Sequence, residues 1–186
     1  LQMLLNRVGL FVSQRGIQYN IARSPRTVNC LAKRWHGDCE HHHLTMCIEL
    51  ACLLDGDANS PKTLKPDVLS TLQEIQDAHH NIVLVSNIPK PDTAALMQTL
   101  GLPQHLKACS STSIPIKMPN PGILIYAIET LAGGEISNSI SVGNSADNVR
   151  MAKAAGVPVI NIRSDEITNG FSSTADLRID SFDQVL

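Results

Sequence analysis

Asn138–Arg163 reads NSISVGNSADNVRMAKAAGVPVINIR, and this stretch decides the fold. A short buried run, ISV, opens onto Gly143-Asn144. Ser145 onward follows a helical pattern closed at Gly156, where a left-handed cap is expected. VPVINIR then reads as a second buried strand. A strand, a helix and another strand in that succession form a crossover unit with parallel strands.

The same grammar extends upstream. PDVLSTLQEIQDA carries Val68, Leu69, Leu72 and Ile75 at helical spacing, and NIVLVSN is a buried-strand run with a polar end. PDTAALMQTLGL is a helix with Gly101 at its expected cap. LKACSS offers a further strand. PNPGILIYAIETLAGG supplies Asn120 as N-cap, Pro121 as first helical residue and Gly133-Gly134 as terminator. The expected architecture is α/β, a parallel Rossmann-like sheet flanked by helices.

Residues 1–60 read differently. LQMLLNRVGL, RTVNCLAKRW and HLTMCIELACLLDG are rich in Ala, Leu, Met and Cys and poor in β-branched residues, so helices are expected. The polar stretch DGDANSPKTLKP marks a boundary. Two regions follow: a helical, cap-like region over 1–60 and an α/β core over 61–186.

Composition narrows the function. Apolar residues at 43% and charged residues at 17% describe a globular chain rather than a disordered one. Every apolar run is interrupted before 18 residues, so no transmembrane helix is expected. Net charge is −2 and aromatics are 3%, which disfavours a nucleic-acid surface. The first 45 residues carry a basic surplus, read as a solvated face or, in a cap, as an attractor for an anionic substrate. Five cysteines without a CxxC pair, and no secretory signal, point to reduced thiols in a cytoplasmic setting. His36, Cys39 and His41–His43 crowd together, but no second paired half follows, so a zinc site is not expected.

In an open α/β sheet, ligands gather at the carboxyl ends of the strands. Ser86 and Asn87 follow NIVLV, Lys117 precedes the helix at Pro121, and Gly143-Asn144-Ser145 with Asp147 and Asn148 follow ISV. Taken singly, each is an ordinary turn, cap or surface charge. Taken in order, about one strand–helix unit apart, they bring a hydroxyl, an ammonium and a polar cluster to successive strand ends.

VLVSN, KMPNPGILIYAIETL and SVGNSADNVRMAKAAGVPVI resemble the second, third and fourth motifs of the haloacid dehalogenase (HAD) superfamily, and ADLRIDSFDQVL resembles its closing segment. The resemblance spans roughly residues 66–186. It implies a HAD-like fold and hydrolysis of a small phosphorylated metabolite through an aspartyl-phosphate. Ser86 and Asn87 would bind the phosphoryl group, and Lys117 would steady its charge. The group at Asn144, Asp147 and Asn148 would face Mg²⁺. A metal-independent 2-haloacid dehalogenase and a catalytically silent binding domain are the alternatives.

Two departures stand out. The family's nucleophile is an aspartate in DxDxT or DxDxV ending the first strand. Here it is either upstream of Leu1, with residues such as Met46–Leu54 belonging to a helical cap, or Asp55 with Asp57 as acid/base. The cap reading fits the helical grammar better. In the fourth motif the family has acids where this chain has Asn144 and Asn148, so a weakened Mg²⁺ site is expected, with Asp147 as a stand-in.

Overall fold

A computed structural model describes residues 10–13, 16–19, 43–56, 60–110, 112–163 and 174–185. A small antiparallel hairpin comes first, β1 (Leu10–Ser13) with β2 (Gly16–Tyr19). The core begins with β3 (Thr45–Glu49), which passes through a 3₁₀ turn at Leu50–Leu53 into a second hairpin, β4 (Leu54–Asp55) with β5 (Thr63–Leu64). Then α1 (Val68–Asp77), β6 (Asn81–Val85), α2 (Lys90–Thr99) and β7 (Lys107–Cys109) alternate. Helix α3 (Pro121–Tyr126) continues as a π-helical turn over Ala127–Ala132, followed by β8 (Ser139–Gly143) and α4 (Ala146–Ala155). The core closes with β9 (Val159–Ile162), β10 (Leu177–Ile179) and a 3₁₀ turn at Phe182–Val185.

Six strands form one sheet in the order β10-β9-β8-β3-β6-β7, every pair parallel. Both faces of such a sheet must be covered. Met46, Ile48, Leu84, Ile140, Val142 and Ile160 pack with Leu72 and Ile75 of α1 and Phe182 of the final turn. Cys47, Val83, Val85 and Val159 pack on the opposite face with Ile123 and Leu124 of α3 and Val149 and Met151 of α4. Each buried aliphatic side chain contributes about 1.5–3 kcal/mol. Truncating fully buried Ile48 to Ala would cost about 2–5 kcal/mol, since it sits mid-strand at the centre of the sheet.

The helix ends follow their sequence signals. Asn120 accepts the Gly122 N–H through its side chain, and Gly101 and Gly156 cap their helices with φ near +70°.

One expectation fails outright. Met46–Leu54 is not an α-helix; its first part lies in β3, the strand flanked by β6 and β8, and only Leu50–Leu53 form a short 3₁₀ turn. Helix propensity amounts to a few tenths of a kcal/mol per residue, and pairing on both sides with all five residues buried outweighs it. The hairpin formed by Leu10–Ser13 and Gly16–Tyr19 likewise falls in the region expected to be mainly helical. RTVNCLAKRW and most of residues 1–42 lie outside the described residues, so the cap reading of that stretch has no structural counterpart here.

Candidate functional site

Strand register sets out the site. Glu49, the last residue of β3, pairs with Val85, which pairs in turn with Cys109 of β7. On the other flank Ile48 pairs with Val142 of β8. The carboxyl edge therefore carries Ser86 on one side of Glu49 and Gly143-Asn144 on the other.

Ser86 is buried and its position is fixed twice. Its N–H donates to the Cys109 carbonyl at 2.9 Å, and its Oγ accepts the Ile88 N–H at 3.0 Å. An Oγ that accepts from the backbone retains its own hydrogen to donate. Asn87 turns the other way: its Oδ1 accepts the Met118 N–H at 3.1 Å. That bond draws the β7–α3 connection, and with it the exposed Lys117, to the end of β6. A second bond, from Lys90 N–H to Thr112 Oγ1 at 2.9 Å, joins the same two connections.

Glu49 is 6% exposed and its carboxylate is bound into the β8–α4 loop. Oε2 accepts the Asn144 N–H at 3.0 Å and the Ser145 N–H at 3.1 Å, while the Ser145 Oγ accepts the Asn148 N–H at 3.0 Å. Burial pushes the Glu49 pKa above the usual carboxylate range, the loop donors oppose that shift, and Asp147 adds a small upward push. Gly143 makes the contact possible. A Cβ there would lie 2.5 Å from Glu49 Oε2 and 2.5 Å from Asn148 Cγ.

The other residues singled out from the sequence scatter. Asn148 is buried beneath the loop, where its amide bonds the Ser141 hydroxyl (Nδ2 to Oγ, 3.1 Å) and its N–H donates to Ser145 Oγ at 3.0 Å. Asp147 is partly exposed and pairs with Arg150 at 3.2 Å. Asp55 lies in the β4–β5 hairpin, exposed, with Oδ1 accepting the Gly56 N–H at 2.9 Å, and so is not at the end of a core strand. Asp57 lies outside the described residues, as do His36, Cys39, His41 and His42. Among the described residues no group of three or more His, Cys, Asp or Glu could hold a metal ion. Cys52, in the turn after β3, is buried, and burial raises its thiol pKa well above the ordinary value, which disfavours the reactive thiolate.

Glu49 is the residue that reading the sequence missed. The available signal was a stretch of strand length, Leu44–Ile48, apolar but for Thr45 and ended by an acid.

This arrangement is an open α/β sheet with a buried carboxylate, a hydroxyl and a nearby lysine at its carboxyl edge. The sequence profile of the haloacid dehalogenase-like hydrolase family matches residues 27–156. The chain belongs to that family. A phosphoglycolate phosphatase from Mesorhizobium japonicum is 30% identical over 96 residues, covering 51% of this chain and 42% of that protein. A probable phosphoglycolate phosphatase from Pseudomonas putida is 28% identical over 116 residues, covering 61% and 46%. Among solved structures, CbbY from Rhodobacter sphaeroides, in complex with phosphate, superposes with TM-score 0.59 at 22% identity, over 68% of this chain and 57% of that one. A predicted phosphoglycolate phosphatase from Haemophilus somnus gives TM-score 0.61 at 21% identity, over 68% and 57%. This HAD-like chain thus spans about half the length of the proteins it matches. Among its described residues no helix is long and apolar enough to cross a membrane.

Proposed function

We propose that this chain binds a small phosphorylated metabolite at the carboxyl ends of β3, β6 and β8, and that it retains recognition without turnover through an acyl phosphate. Ser86 would donate its hydroxyl hydrogen to a phosphate oxygen. Lys117, held nearby through Asn87 and Met118, would supply the positive charge that a phosphate dianion requires. The curated relatives named phosphoglycolate phosphatase make phosphoglycolate the first ligand to test.

Glu49 carries the second half of the proposal. Laid along β3, the family's DxDxT pattern falls on Glu49-Leu50-Ala51-Cys52-Leu53. The first carboxylate is then lengthened by a methylene and engaged by the Asn144 and Ser145 N–H groups, while the second is a methyl group. An attacking carboxylate must face the phosphoryl held by Ser86 and Lys117, and an acid/base must assist departure and hydrolysis. Among the described residues neither stands in that geometry. The same objection meets 2-haloacid dehalogenase chemistry, which also begins with carboxylate attack.

Calorimetric titration with phosphoglycolate and a p-nitrophenyl phosphate assay with Mg²⁺ test the proposal together. Expected are saturable binding, lost in Ser86→Ala and Lys117→Ala, and turnover at background. Turnover well above background that Glu49→Ala abolishes would overturn the second half and make Glu49 the nucleophile. Absence of phosphoglycolate and inorganic phosphate binding would overturn the first.

A further inference from the structure

The family typically uses Mg²⁺, a hard cation that requires anionic or carbonyl oxygens in strict octahedral array. The donor set at this sheet edge does not match. Ala51 brings no oxygen on its side chain. Asn148, 1% exposed, spends its amide on Ser141 in the interior. Asp147 is paired with Arg150. Opposite Glu49 the loop presents two backbone N–H donors, whose positive ends repel a cation and suit an anion.

We propose that the Glu49 carboxylate does the tying that a divalent cation would otherwise do, joining the end of β3 to the β8–α4 loop, so that this site closes without metal. A cation bridges strand ends by drawing acidic oxygens from both. Here the charges are reversed. One carboxylate reaches across from β3, and the loop answers with two backbone N–H groups at the start of α4, whose N-cap is Ser145. The extra methylene of Glu over Asp supplies the reach. Gly143 supplies the space, because any side chain there would collide with the carboxylate. The tie needs no bound phosphate, so it stands or falls apart from ligand recognition.

Mn²⁺ is the probe, because free Mn²⁺ has a solution electron-paramagnetic-resonance signal that binding removes. The full chain is expected to leave the Mn²⁺ signal undiminished up to millimolar metal, and its melting temperature is expected to be the same with Mg²⁺ as with EDTA. The triple variant Glu49→Asp/Ala51→Asp/Asn144→Asp is expected to take up Mn²⁺ and to gain a melting-temperature increment with Mg²⁺. Glu49→Gln, which keeps the length but weakens the acceptor, is expected to melt lower than the parent. Stoichiometric Mn²⁺ uptake by the parent chain would overturn the proposal whatever the phosphate titrations show. So would an unchanged melting temperature in Glu49→Gln, or a folded triple variant that ignores Mn²⁺. If the triple variant does not fold, the parent's Mn²⁺ titration and the Glu49→Gln melt still decide.

Discussion

The Oδ1 of Asn87 accepts the backbone N–H of Met118 at 3.1 Å, across 31 residues of sequence. Asn87 follows Ser86 directly and Met118 follows Lys117, so one bond sets the spacing between the two groups proposed to bind phosphate. On the proposed reading Asn87 acts as a positioning residue through that bond. Asn87→Ala is expected to cost about 0.5–1.5 kcal/mol of stability. It should also weaken inorganic phosphate binding, and this loss should shrink when Lys117 is already Ala. Asn87→Asp keeps an acceptor oxygen for the Met118 N–H and is expected to restore much of the stability. A double-mutant cycle by calorimetry reads the coupling.

Asn148 sits beneath the β8–α4 loop with its amide on Ser141. Asn148→Leu would remove that partner and leave the buried Ser141 hydroxyl short of a bond, at about 1–3 kcal/mol. Urea denaturation should show a lower midpoint. The paired change Ser141→Ala/Asn148→Leu should recover part of the loss, because no hydroxyl then remains to satisfy.

His80 predicts a loss of stability on the acid side. Burial lowers its pKa, with His43 and His79 adding to the shift, and its Nδ1 accepts the Leu44 N–H at 3.3 Å as a neutral ring. The folded state therefore binds this proton less readily than the unfolded chain. The stability is present above the ordinary histidine pKa of about 6.5 and falls as pH drops through that value toward the lowered one. His80→Asn retains an acceptor near Nδ1 without the titration. Melting temperatures from about pH 8 to about pH 5.5 should fall less steeply for the variant than for the parent.

Asp176 serves two partners: Oδ2 accepts the Val159 N–H at 2.9 Å and Oδ1 pairs with Lys153. The Lys153 end is well exposed, so Lys153→Ala should cost under about 1 kcal/mol. Asp176→Ala should cost more, because it also strands the β9 N–H, and chemical denaturation of both variants ranks them.

The sequence pattern makes one half of the molecule easy to read. From α1 onward, Asn120 and the glycines at 101 and 156 mark helix ends where the backbone obeys them, and Ser86 and Asn144 do fall after strands. β3 hides because it is buried on both faces and so shows no alternation, while its Met is a strong helix former. Once β3 is hidden, the acid that ends it goes unnoticed, and attention moves to Asp55 in a peripheral hairpin. Asn148 misleads for a related reason. Its side chain is matched to Ser141, a relation created by packing α4 onto β8 rather than by any local pattern.

Glu49 and the Asn144 that receives it lie 95 residues apart. On a ribosome, which releases the chain from its amino end, β3 can pair with β6 well before β8 exists. Throughout that interval the middle of the future sheet is an open border, with unpaired backbone groups beside apolar side chains. Such a border recruits strands from other nascent copies, so a message cut short before Ser139 yields a product prone to clump rather than a smaller soluble domain.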